Sequence, residues 1–199
     1  VVGVRSADHF NSREFTVKQI LMRAARLLAV GSVVVLPATL VAQSGGGSKL
    51  DDPTIVAIFD AANTWDIETG SLAAKNAQSA DVKAFGQMLA HDHEAVRQQG
   101  RDLAKKLGVT PTPPGPDFQM AKDHYAAMAK LKGMTGAAFD RAFLENEVAY
   151  HKAVIDAVTN TLLPAIQNAE LKALVVKVAP AFQAHLIAAQ NQLNKLPAA

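Results

Sequence analysis

The chain has 199 residues, 49% of them hydrophobic and only 6% aromatic, and no cysteine. That length suits one domain with enough chain to bury a core, and the missing thiols exclude disulfides, Cys-ligated zinc, iron–sulfur clusters and covalently attached haem. Arg5, Arg13, Lys18, Arg23, Arg26 and Lys49 face only Asp8 and Glu14, so the first fifty residues carry +4 of the net +2 and the remainder −2. Such a domain has no basic stripe and is excluded as a nucleic-acid binder.

In chain order, residues 27–42 are uncharged and mostly apolar, preceded by Arg23 and Arg26 and followed by a Gly/Ser spacer at 43–48. This is the layout of a secretory signal, with Ala42-x-Ser44 or Leu40-x-Ala42 as cleavage site and Met22 as an alternative start. Left uncleaved, the run is slightly short of the ~20 residues that span a bilayer and would hold the chain to the membrane through residues 20–42. The expected organisation is a signal peptide or uncleaved anchor at 1–44, a flexible linker at 45–51 and a helical bundle at 52–196. Its expected address is the periplasm or cell envelope, anchored to the inner membrane where the run stays uncleaved.

Asp52-Pro53 supplies an N-cap and a first-turn proline for a helix striped by Ile55, Ile58, Ala62, Trp65 and Leu72, running to about Ala77. Ser79 caps a second helix carrying Val82, Phe85, Leu89, Val96, Leu103 and Leu107, and Gly108 closes it. The four prolines of segment 110–116 make an extended connector. A third stretch begins near Asp117, pauses at 132–136, and resumes with Phe143, Val148, His151, Ile155, Val158 and Leu162 until Pro164 stops or kinks it. The last helix starts at Asn168 or Ala169 and carries Leu171, Val175, Val178, Phe182, His185, Ala189 and Leu193, with Pro180 expected to bend it. With no strand pattern between these stretches, the expected fold is all-α, an antiparallel four-helix bundle.

A short pattern occurs twice, as Lys83-Ala84-Phe85 leading to His93-Glu94-Ala95-Val96 and as Arg141-Ala142-Phe143 leading to His151-Lys152-Ala153-Val154. Phe and His stand eight residues apart in both copies, two turns along one helix face. His93, His151 and His185 all fall on apolar stripes and face inward; Glu147, four before His151, is its neighbour, and Glu68, three after Trp65, points the same way. His91 and His124 read as surface residues. A buried carboxylate needs a partner, and a transition metal ion (Fe, Mn, Zn or Cu) or a histidinium would provide one. The candidate metal ligands are therefore Glu68, His93, Glu147, His151 and His185. The Glu-x-x-His spacing of di-iron bundles is absent, and core histidines satisfied by backbone carbonyls, Asp92, Tyr150 or each other would give the same pattern. Ser71, Ser79 and Thr69 have no base nearby and no Gly-x-Ser-x-Gly elbow exists, so a non-enzymatic role is expected.

The run Trp65-Asp66-Ile67-Glu68-Thr69-Gly70-Ser71-Leu72-Ala73, then Val82-Lys83-Ala84-Phe85 leading into Asp92-His93, Phe139-Asp140-Arg141-Ala142-Phe143 leading into His151, and Ala184-His185-Leu186 resembles the bacterial family called domain of unknown function 4142. The resemblance covers residues 52–193. It implies an exported, ferritin-like helical bundle of the kind often labelled outer-membrane protein, with Glu68, His93, His151 and His185 as its characteristic polar positions. Tyr150 stands where that family usually has Asp. Two functions are expected from these features. The first is an extracytoplasmic bundle with a structural or binding role, as an accessory subunit of a larger membrane complex. The alternative is a metal-binding bundle with a Glu/His site inside.

Overall fold

The computed structural model describes residues 50–197, and every regular element among them is helical. Helices α1 (Asp52–Asn76), α2 (Ala80–Leu107), α3 (Gln119–Lys132), α4 (Gly136–Ala157) and α5 (Ala169–Lys195) follow in order. The punctuation follows local chemistry. Asp51, one residue before the expected cap, accepts from the Thr54 amide at 3.1 Å, with Pro53 in the first turn. Ser79 caps α2, and Gly108 ends it in the left-handed region at φ 64°. Pro164 has no N–H to return to the preceding turn, and α4 widens into a π-helical turn at Val158–Leu162 before one last turn at Leu163–Ala165. Asn168 caps α5, which continues through Pro180.

α1 and α2 pack along each other, α4 pairs with α5, and α2–α5 and α1–α4 contacts close the bundle, with α3 laid against α1 and α4. The α1–α2 approach depends on two glycines: a Cβ at Gly70 would lie 2.7 Å from the Gly86 carbonyl oxygen, and a Cβ at Gly86 would lie 2.7 Å from that of Gly70. The two sequence copies meet across the bundle in register, Phe85 with Phe143 at 6.1 Å between ring centroids and His93 with His151 at 5.7 Å.

The core is divided. Ile55, Phe59, Val96, Val154, Val175 and Phe182 belong to one apolar cluster, and Ala73, Phe85, Leu89, Phe139, Phe143 and Ala189 to the other. On each long helix the residues between the two clusters are polar and buried: Asn63 and Asp66 on α1, His93 on α2, Glu147 and His151 on α4, and His185 on α5. Two further carboxylates serve the backbone at the bends. Asp140 accepts from the Gln78 and Ser79 amides at 2.8 and 2.7 Å, and Asp52 from the Gln167 and Asn168 amides at 2.9 and 2.8 Å.

The expectation of an N-terminal signal or anchor helix is corrected here. Among the described residues the helix long and apolar enough to cross a membrane is α5, at the C-terminal end, with a mean hydropathy of 1.3. Its apolar side is also core, since Leu171, Val175, Val178, Phe182, Leu186 and Ala189 are buried against the other helices. The signal or anchor assigned to 1–44, the membrane contact assigned to 20–42 and most of the linker lie outside the described residues. What stands of the expected ferritin-like four-helix bundle is an all-α, multi-helix fold.

Two stability predictions follow from this packing. Gly86→Ala forces the α1 and α2 backbones apart and lowers stability by about 1–3 kcal/mol, whereas Gly115→Ala, where a Cβ meets nothing within 4 Å, leaves the thermal midpoint unchanged. Asp140→Ala strands two amides at the α1–α2 bend and costs about 2–3 kcal/mol, read as a fall of roughly 5–10 °C in the midpoint by circular dichroism.

Candidate metal centre

The inward histidines stand where their helical spacing puts them: His93, His151 and His185 are all buried, and Glu147 beside His151 is fully enclosed at 0% exposure. Glu68 is not with them. Its side chain is 48% exposed and accepts from His124 Nε2 at 2.8 Å, on the flank covered by α3. The reason lies in Trp65, which turns toward α3, stacks on His124 at 5.4 Å between centroids and carries Glu68 round with it. His124, expected at the surface, is buried under this contact, while His91 is exposed as expected. The carboxylate that α1 sends to the bundle axis is Asp66. It was legible in the alternating steps of four and three through Phe59, Asn63, Asp66, Gly70 and Ala73, a line that anchoring the helix on Trp65 conceals.

Hydrogen-bond partners fix the tautomers. Asn63 donates its amide to the Phe59 carbonyl at 2.8 Å, which leaves its oxygen facing His93 Nδ1 at 2.9 Å; His93 therefore carries its proton on Nδ1. His185 donates Nε2–H to Asp92 Oδ2 at 3.1 Å, and His151 donates Nδ1–H to the Glu147 backbone oxygen at 3.0 Å. Each ring thus spends its one proton outward. The inward atoms, His93 Nε2, His185 Nδ1 and His151 Nε2, present bare lone pairs. Tyr150 donates to the Ala62 carbonyl at 3.0 Å and meets the His151 ring edge-on at 5.9 Å between centroids.

Those lone pairs converge. His93 Nε2 lies 3.1 Å from His185 Nδ1 and 3.5 Å from Asp66 Oδ2. His93, His151 and His185 each offer a donor atom within 4.8 Å of the others, and so do Asp66, Glu147 and His151. Donors bound to one ion at about 2.0–2.2 Å sit roughly 3–3.5 Å apart, a range that includes the His93–His185 and His93–Asp66 separations. His151 belongs to both triads, and its Nδ1 lies 3.5 Å from Glu147 Oε2.

Protonation follows from burial. Burial holds the His93 imidazolium off, down to about 2, helped by the neighbouring His185 and His151; burial and His185 bring His151 to about 4 against the Glu147 carbonyl. His185 is lowered by burial, opposed by Asp92. All three are neutral near pH 7, as ligands must be. Burial raises Asp66 well above the usual carboxylate range, with the Glu147 charge adding to it; burial also raises Glu147, against hydrogen bonds from Thr69, Asp66 and Asn146. Three buried polar atoms in this layer have no hydrogen-bond partner: Asp66 Oδ1, Glu147 Oε2 and His151 Nε2, one from each member of the carboxylate triad.

A family model described as Domain of unknown function (DUF4142) matches residues 36–192. No curated protein and no solved structure matches the chain. With a match over well more than half of its length, the chain belongs to the DUF4142 family.

Proposed function

We propose that this protein binds a divalent first-row transition metal ion inside its bundle, through His93, His151 and His185 with Asp66 and Glu147. The observation that carries the reading is the facing pair of lone pairs on His93 Nε2 and His185 Nδ1, 3.1 Å apart. Two unprotonated nitrogens at that distance repel unless a cation lies beside them, and a proton is held off by burial. The outward acceptors Asn63, Asp92 and the Glu147 carbonyl weigh against the alternative in which the histidines satisfy each other.

The outer contacts support the reading as well. Metal-bound imidazoles ordinarily pass their other N–H to a carboxylate, carbonyl or amide oxygen, and Asp92, the Glu147 carbonyl and Asn63 fill these roles here. Imidazole with carboxylate and no thiolate suits Mn, Fe, Co or Zn. A purely structural bundle gains little from burying two carboxylates that each leave one oxygen unpaired, so the role as a passive subunit of a larger complex is the weaker reading.

Two experiments test this. Tag-free protein stripped with a chelator and then titrated with Mn(II), Fe(II), Co(II) or Zn(II) takes up about one ion per chain by elemental analysis. Its thermal midpoint rises by roughly 5–10 °C, the gain expected near a hundredfold excess over Kd. The His93→Ala/His151→Ala variant shows neither effect. Failure of every metal to shift the wild-type midpoint overturns the proposal. In the second, Asp66→Asn/Glu147→Gln removes the buried carboxyls and supplies amide N–H groups to the bare nitrogens. The metal-free midpoint therefore rises by about 2–5 °C while stabilisation by metal disappears.

A further inference from the structure

A cavity of about 230 Å³ lies between α1, α3 and α4, walled by Trp65, Asp66, Thr69, His124, Asn146 and Tyr150. Of the five donor residues, Asp66 alone lines it. Asp66 is also the residue whose buried Oδ1 has no partner. Asn146, on the same wall, donates to Glu147 Oε1 at 3.4 Å, so the cavity lies on the carboxylate side of the donor set. On the other side Phe182 stacks flat on His93 at 5.8 Å, and that approach is closed by an apolar ring.

We infer that this cavity admits a small exogenous ligand, a neutral or monoanionic oxygen or nitrogen donor, that binds the ion beside Asp66. The inference rests on the metal-binding reading above. Five monodentate protein donors leave one position of a six-coordinate ion unfilled, and an open position is what separates reactive metal sites from closed structural ones. The cavity volume suits a ligand of a few heavy atoms, a water share being about 30 Å³. Glu68 acquires a role in this arrangement. By holding His124 against Trp65 it keeps α3 over the cavity as its outer wall. Ala149 and Ala153 line the cavity from α4, both solvent-exposed and neither a donor.

The test uses the full chain loaded with Co(II) and titrated with sodium azide, followed by visible absorption and by the emission of Trp65, the only tryptophan and part of the cavity wall. Azide should shift the Co(II) bands along a saturating curve, with Trp65 emission changing over the same concentrations. Ala153→Phe, or Ala149→Leu should the first variant fold poorly, should weaken azide binding by about tenfold while Co(II) still binds stoichiometrically. If Co(II) binds but azide leaves its spectrum unchanged, the port is refuted and the metal site stands. An azide response of equal affinity in both cavity variants likewise refutes it. If Co(II) does not bind at all, the metal-binding reading falls, and the port with it.

Discussion

The placement of three imidazole protons governs this molecule. Each ring has one proton when neutral, and each gives it to an acceptor lying away from the bundle axis: Asn63, Asp92 or the Glu147 carbonyl. The lone pairs left behind face one another and two carboxylates across a gap of a few ångströms, between two apolar clusters. A polar layer of this kind lowers the stability of the empty fold, and a cation is the species that relieves it. The proposed function is the remedy for that electrostatic arrangement.

The orienting contacts run between helices. Asn63 of α1 steers His93 of α2, and Asp92 of α2 steers His185 of α5. Only His151 is held by its own helix. Donor geometry is therefore as accurate as the helix packing, and the close Gly70–Gly86 crossing helps set the α1–α2 spacing on which the Asn63–His93 bond depends. Asp92 illustrates the point: adjacent in sequence to His93, it serves the histidine ninety-three residues further on.

Much of this was readable in the residues. Helix limits came from Pro53, Ser79, Gly108, Pro164 and Asn168, whose backbone chemistry acts locally. The inward histidines came from heptad-like spacing on helices with one apolar face. What spacing could not give was the facing of α1. That helix has two covered flanks, the bundle axis and α3, and Trp65 follows the second; the choice of Glu68 over Asp66 and the surface placement of His124 both came from not anticipating α3 as a cover. Tautomers were out of reach too, since they depend on Asn63 and Asp92, contacts between helices that no single-helix pattern contains.

The aspartates at the bends have one more implication. Asp52, in the first turn of α1, holds the chain entering α5, and Asp140, near the start of α4, holds the chain entering α2. Each hairpin thus grips the elbow of the other, like two clasped hands. Loosening either half means undoing a grip on its mate, so the two hairpins are coupled in unfolding.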